Sequence, residues 1–274
     1  MEAGKELGHH VYPLPTLSQK IDVDSHAFCA QLSPRPDAVI PRIGTPLTGL
    51  GLSLITAFET AGILTTTSSF GLRHSRDKFL AGQHLTAQGL AMPKTLTFTD
   101  TAFIDEAIRD IGGYPFVLKR LQGTGGKTVR LINDVDEAHH CIRKNIRKYK
   151  AFLIQEFIKE ARGADLRVFV LGGRVIAAMK RVAANDDFRA NIHAGGRGEQ
   201  IVLSPQEQAY ALKAANSLKL SIAGVDILRS SRGPLILEVN SSPGLEGIER
   251  TAQKDIAAEI IGFIASQIKD SPSG

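Results

Sequence analysis

Apolar positions in this chain follow two alternating rhythms, and the switches between them mark out its elements. Apolar residues recurring every three or four positions predict helices, and short β-branched runs between turn residues predict strands. On that basis "DAVIPRIG" (37–44) is a strand entering a loop, and "GLSLITAFETAG" is a helix stopped by Gly62. "SRDKFLAGQHLTAQG" predicts one further helix, ended by Gly89. A short strand follows Pro93, then a helix over "DTAFIDEAIRDIGG", whose paired glycines are a stop signal. "PFVLKRL" and "KTVRLI" predict two strands joined by the glycine-rich "QGTGG", and a basic helix begins near Asp136. "AFLIQEFI", "DLRVFVLGG" and "RVIAAMKR" predict three more strands. In "SPQEQAYALKAANSLKL" Ser204 can cap a helix, Pro205 suits its first turn and Glu207 completes a capping box. "AGVDILRSSRGPLILEVN" predicts a hairpin, and "DIAAEIIGFIASQI" an amphipathic helix before a frayed "KDSPSG" tail. The alternation of helices and strands defines a mixed α/β chain.

The N-terminus departs from this regularity. "EAGKELG" looks like the first helix of an α/β unit and "HHVYPL" like the strand after it, with no residues left for the strand that normally opens such a unit. A truncated or misassigned start is expected, at a cost in unpaired backbone groups.

Composition narrows the function classes. With 274 residues, 43% apolar and 22% charged, the chain can bury a core and hold two or three subdomains as easily as one large domain. No apolar run approaches the roughly 20 residues of a membrane span. The first residues lack the apolar stretch of a signal peptide, and two cysteines cannot build a disulfide framework, so a cytoplasmic protein is expected. The net charge of +5 is mild and favours an anionic ligand. Aromatic residues are few and Trp is absent, which gives no base-stacking platform and no direct nucleic-acid partner. The basic run "CIRKNIRKYK" is read first as a solvated helix face.

The chemistry concentrates in the hairpin. Glu238 and Asn240 are two apart on one strand and so share a face, and a turn near Ser231 and Arg232 puts Asp226 roughly opposite Glu238. Two carboxylates and a carboxamide, with no Cys or His, suit a hard cation such as Mg2+, which completes its shell with water and phosphate. The alternative, solvent-facing carboxylates, is disfavoured by the apolar runs around them. "QGTGGKT" is not a P-loop: Leu121 stands where the first Gly is needed, and a strand rather than a helix follows. With Lys119 on the strand leading in, it can still cradle phosphates. Adjacent histidines, His9–His10 and His139–His140, diverge and make poor metal sites, and His193 is read as a structural or contact residue.

The order of "SRDK", "PFVLKRLQGTGG", "FLIQEFIKEARGADLRVFVLGGRVIAAMKR", "DFRANIHAGG", "AGVDIL" and "LEVNSSPGLEGIE" resembles the ATP-grasp enzymes. "PRIGT" and "FRAN" make it more narrowly similar to the RimK alpha-L-glutamate ligases, over nearly the whole chain. The resemblance implies two α+β ATP-grasp lobes behind a shortened Rossmann-like pre-ATP-grasp domain. The expected boundaries are 1–70 for that domain, 71–155 for the small lobe and 156–274 for the large lobe. Lys78 and Lys119 would contact ATP phosphates, and Gln155, Glu156, Phe157 and Ile158 would form the linker that meets adenine. Asp165 would join the nucleotide site, Arg189 and Asn191 the phosphates, and Asp226, Glu238 and Asn240 would hold Mg2+ or Mn2+, two ions in all. The implied reaction phosphorylates an acceptor's terminal carboxylate, and the amine of L-glutamate attacks the acyl phosphate. The implied acceptor is the acidic C-terminal tail of a small-subunit ribosomal protein; the oligomeric state, including a homo-oligomer, is left open.

Cationic partners are needed for the substrate carboxylates. Arg167, Arg181 and Arg197 are candidates, with Arg42 weaker. Arg167 and Arg189 are assigned to catalysis. Lys127 in the glycine-rich loop is an added phosphate contact or a solvent-facing residue. Two other functions stay in view: an ATP-grasp ligase with a small-molecule or carrier-protein acceptor, and a non-enzymatic nucleotide-binding protein that docks on ribosomes through residues 141–150.

Overall fold

A computed structural model describes residues 1–121, 129–149, 152–184, 187–190 and 195–270. The glycine-rich loop with Lys127, Asn191 and His193, and the last four tail residues, lie outside the described residues. The N-terminal unit contains α1 (Glu2–Glu6), α2 (Ser25–Ala30), β1 (Ala38–Val39), α3 (Thr48–Thr60) and β2 (Leu64–Thr65). Phe28 and Cys29 of α2 pack against Leu54, Ala57 and Phe58 of α3. Gly62, at φ +71°, accepts the left-handed turn that ends α3, as its position after the apolar pattern predicts.

One strand expectation fails here. Residues 9–14 are not a strand; β1 and β2 pair only with each other, in parallel, over two residues. An extended segment becomes a strand only through a ladder neighbour, and "HHVYPL" has none among the described residues. It is held instead by side chains: His10 packs on Tyr12, whose hydroxyl donates to the Pro34 carbonyl at 2.5 Å.

The middle of the chain forms α4 (Ser69–Arg76), α5 (Lys78–Ala87), β3 (Thr95–Leu96), α6 (Ile104–Asp110), β4 (Phe116–Arg120), β5 (Val129–Ile132), α7 (Val135–Tyr149) and β6 (Phe152–Glu156). The single helix expected over "SRDKFLAGQHLTAQG" is therefore two, broken at Asp77. Asp77 leaves the helical region (φ −115°, ψ 110°), and its Oδ1 accepts the Phe79 and Leu80 amides at 2.9 and 3.0 Å. A short carboxylate satisfying the orphan amides of a new helix competes well with continuing the old one. The break makes Lys78 the first residue of α5. The antiparallel sheet β3–β6–β4–β5 is backed on one face by α6 and α7, through Ile104, Ile108, Phe116, Ile142, Phe152 and Ile154. Cys141 is buried in that core and Cys29 in the N-terminal one, both free, as packing residues.

The remaining elements are β7 (Ala164–Leu171), β8 (Arg174–Val182), β9 (Arg197–Gln200), α8 (Pro205–Ser217), β10 (Ile222–Ser230), β11 (Gly233–Asn240), α9 (Glu246–Ala252) and α10 (Ile256–Asp270). The Ser204–Glu207 capping box opens α8 in both directions. The sheet β11–β10–β7–β8–β9 is antiparallel throughout. One face, with Val168, Val170, Val225 and Ile236, packs on α8 and on Leu85 of α5. On the other, Phe169 and Leu171 pack on Ile248 of α9 and Ile256, Ile260 and Ile264 of α10.

Register in the last hairpin carries one irregularity. Ile227 pairs with Ile236, but Asp226 pairs with Glu238, so Leu237 is the extra residue of a β-bulge. Simple alternation would send residues 236 and 238 to one face. The bulge keeps Ile236 and Val239 in the core while Leu237, Glu238 and Asn240 all turn to the other side.

Asp77→Ala should remove the cap of α5 and lower stability by about 0.5–2 kcal/mol, read as a shift in the urea midpoint with unchanged slope.

Candidate functional site

The unbacked face of the four-stranded sheet looks toward the open part of the five-stranded sheet. Between them lies a cavity of about 700 Å³. Strand alternation places Val117 and Lys119 of β4 and Val129 of β5 on that face, and Gln155 of β6 joins them. From the large sheet come Asp165 and Arg167 of β7, Met179 and Arg181 of β8, Asp226 and Leu228 of β10, and Leu237, Glu238 and Asn240 of β11. Lys78 at the start of α5, the linker residues Glu156, Phe157 and Ile158, and Arg189 complete the set. Every described residue assigned from sequence to nucleotide, metal or catalysis lines this one cavity. Sequence reasoning missed the apolar walls Val117, Val129, Leu228 and Leu237, although Val117 lies two residues before Lys119 on the same strand face.

Three polar arrangements organise the cavity. In the first, Lys119 donates to Gln155 Oε1 at 2.6 Å, and Gln155 Nε2 donates to Thr95 Oγ1 at 2.8 Å, which fixes the carboxamide. Burial lowers the Lys119 ammonium to about 8, helped by the like charge of Lys78 and opposed by Glu238. Lys78 lies 3.4 Å from Glu238 Oε1.

The second is a closed quartet of charges. Arg167 grips Asp226 with both prongs, at 2.5 and 3.0 Å, from the directly opposed position on β7. Arg181 grips Asp165 at 2.6 and 2.7 Å, again from the opposed position, and reaches Asp226 Oδ2 at 2.8 Å. Gly224 makes room for this: a Cβ there would stand 3.2 Å from the Arg167 guanidinium and 2.8 Å from Pro243. Burial pushes Asp165 up, against the pull of Arg181. Burial also acts on Asp226, but Arg167 and Arg181 outweigh it and hold that carboxyl below its ordinary value. The forks that sequence analysis offered to substrate carboxylates are thus engaged by the protein's own. Three of the roughly four lone-pair sites of Asp226 are filled, leaving one.

The third ties the hairpin to the linker. Glu156 Oε2 accepts from Arg232 at 2.7 Å and from the Lys94 amide at 3.1 Å, and Glu160 Oε1 accepts the Ser231 amide at 3.1 Å. Both turn residues of the hairpin are therefore pinned to the segment joining the two sheets. Near its other end, the Arg189 guanidinium is chelated by Asp187 at 2.8–3.2 Å and lies over the Phe188 ring.

Two weaker candidates lie outside the cavity lining. Arg42 donates to the Pro243 carbonyl at 2.8 Å and its charge is disfavoured by burial; it joins the N-terminal unit to the segment after β11. Arg197 pairs with Glu199 at 2.9 Å on the surface. Among the described residues no three His, Cys, Asp or Glu side chains gather as a metal centre; Asp226, Glu238 and the Asn240 carboxamide line the cavity as oxygen donors. Among the described residues no helix is long and apolar enough to cross a membrane.

Two sheets that clasp a cavity bearing paired lysines and an oxygen-rich hairpin define an ATP-grasp enzyme. The comparisons with known proteins agree. The family profile "RimK-like ATP-grasp domain" matches residues 75–264, and "RimK PreATP-grasp domain" matches residues 1–72. A Pseudoalteromonas atlantica protein named "Probable alpha-L-glutamate ligase 2" is 43% identical over 98% of this chain and 90% of its own. A Cellvibrio japonicus protein named "Probable alpha-L-glutamate ligase" is 43% identical over 98% and 91%. Among solved structures, the ATP-grasp ligase PsnB with minimal precursor, Mg and ADP superposes with a TM-score of 0.74 at 21% identity, covering 98% of this chain and 92% of that one, a likeness of fold. The chain belongs to the RimK-like ATP-grasp family and is an ATP-dependent carboxylate–amine ligase.

Arg181→Met should lower the unfolding free energy by about 3–5 kcal/mol, because it strands Asp165 beside Asp226, which keeps Arg167. Chemical denaturation measures the loss, and adding Asp165→Asn in the same chain should restore part of it.

Proposed function

We propose that this enzyme joins L-glutamate, through its amine, to a terminal carboxylate on the acidic C-terminal tail of a small-subunit ribosomal protein. The observation that carries the reading is the opposition of Lys78 and Lys119 to the Asp226–Glu238–Asn240 oxygen set across one cavity, with Lys78 3.4 Å from Glu238. The names of the relatives support glutamate as the incoming amino acid, and the complex of PsnB with a precursor peptide supports a peptide acceptor. Residues 1–70 form the pre-ATP-grasp domain, 71–155 the small lobe and 156–274 the large lobe.

An amide does not form from a carboxylate and an amine in water without activation. An oxygen of the acceptor carboxylate attacks the γ-phosphorus of ATP, the bond to the β-phosphate oxygen breaks, and ADP leaves. The glutamate nitrogen then attacks the acyl carbon, phosphate departs with the electron pair of the C–O bond, and the nitrogen gives up a proton. Positioning and charge neutralisation supply most of the acceleration. Lys78, Lys119, Arg189 and Asn191 hold the phosphates. The Gln155–Ile158 backbone and Asp165 hold the nucleoside against the apolar walls Val117, Leu228 and Leu237. Arg167 acts at the transfer site through Asp226, whose remaining lone pair it aims.

The all-oxygen donor set fits a hard cation, and Asp226, Glu238 and Asn240 would hold Mg2+, two ions, with Mn2+ accepted in its place. When bound, it neutralises triphosphate charge and favours the negative charge that develops on the leaving ADP oxygen.

ATP consumption measured across the amino acids, with and without an acidic acceptor peptide, tests the reading. ADP release should require glutamate and the peptide, and intact-mass spectra should show added glutamate; incorporation of another amino acid would overturn the specificity. Glu238→Gln keeps volume and loses a cation ligand, so turnover should fall by about 100-fold or more with an unchanged melting temperature. Lys119 gives a pH signature. Free enzyme loses that proton near pH 8, and phosphate charge restores it. ATP affinity should therefore weaken above pH 8 by up to about tenfold per unit. Calorimetry in buffers of different ionisation enthalpy should show proton uptake at pH 9 that Lys119→Met abolishes.

A further inference from the structure

Pairing within the cavity accounts for nearly all of its charge. Asp165, Arg167, Arg181 and Asp226 close on one another, Lys78 faces Glu238, Lys119 is held by Gln155, Arg189 by Asp187 and Glu156 by Arg232. Two cavity-lining charges are not accounted for in this way: Glu246 and Arg250, both exposed, both on α9. They stand at i and i+4, the spacing at which a glutamate followed by an arginine ordinarily pairs along a helix surface, with Cβ atoms about 5–6 Å apart. Here neither side chain makes an ion pair or hydrogen bond with another described residue. Both line the cavity instead.

The rest of α9 explains why this face is held firm. Ile248 is fully buried beside Met179 of β8. Glu249 accepts the Ile256 and Ala257 amides at 3.1 and 3.0 Å and so caps α10. Thr251 lies against Gly198 of β9, where a Cβ would stand 2.3 Å from its hydroxyl. A rigid helix thus presents one carboxylate and one guanidinium, a turn apart, to the cavity that Arg181 also lines. That pattern complements a zwitterion.

We infer that Glu246 and Arg250 form the reading site for the free amino acid: Glu246 receives its ammonium group, and the Arg250 fork receives a carboxylate. The inference rests on the reading that an amino acid supplies the amine, and it names the residues that select it. The ammonium held at Glu246 passes one proton to that carboxylate, which frees the nitrogen lone pair for attack on the acyl carbon. A guanidinium fork bonds both oxygens of a carboxylate, which a lysine does not.

The test uses full-length protein, ATP and an acidic acceptor peptide. Wild type is first screened for the amino acid that accelerates ADP release, and kinetics are then measured with that amino acid. Arg250→Met and Glu246→Gln should each raise its KM by about tenfold or more, with the KM for ATP and the melting temperature unchanged. Arg250→Lys should recover part of the loss. If the accepted amino acid is not glutamate but its KM still rises, the glutamate reading fails and the α9 site stands. An unchanged amino-acid KM in both variants overturns the site, as does a rise confined to the KM of the peptide. ADP release that no amino acid accelerates overturns the site and the proposed reaction together.

Discussion

Everything in the cavity depends on keeping buried charge neutral. Asp165, Arg167, Arg181 and Asp226 face one another across three strands of the large sheet, two carboxylates against two guanidiniums. An isolated charge at these depths would carry a large desolvation cost. Paired through five charge-assisted hydrogen bonds they are tolerated, and their directions become fixed. Asp226 is therefore delivered to the cavity already aimed, as is Asp165. The two arginines act as the frame of the site.

Around that frame, each sheet solves the same problem in the same way. One face is packed on helices, and the other borders the cavity, sharing its area with α9 and α10 in the five-stranded sheet. The four-stranded sheet rests on α6 and α7, and the five-stranded sheet rests on α8 and α5. What remains is a space with apolar walls and polar ends, suited to a nucleotide whose base is apolar and whose phosphates are charged. The linker grips the hairpin turn through Glu156 and Glu160, so the hairpin that bears Asp226, Glu238 and Asn240 and the segment that joins the two sheets are positioned together.

Much of this was legible in the pattern of residues. The hairpin at Ser231–Arg232, the opposition of Asp226 and Glu238, the capping box at Ser204 and the strand carrying Lys119 all follow from local rules of period and capping, and all stand as expected. The errors were also local in origin. Asp77 is both a helical neighbour of α4 and an excellent cap for α5, and apolar periodicity alone does not say which role prevails. "HHVYPL" has strand-like residues, but pairing is a property of two segments and not of one. The bulge at Leu237 gave no signal, since an inserted residue looks like any other apolar residue of the run.

By itself the sequence determined the alternation of elements, the oxygen-only chemistry of the hairpin and the kinship that links its motifs. These are properties of neighbours along the chain, where spacing translates directly into facing. Tertiary structure alone decided which charges are used up and which remain for a ligand. Arg167, Arg181, Arg197 and Arg250 are alike in the sequence, yet the first two are bound by aspartates across strands, the third by Glu199 on the surface. Only Arg250 reaches the cavity with no described partner. Which carboxylate neutralises a guanidinium depends on distances between strands remote in sequence, and those distances exist only once the sheets have formed.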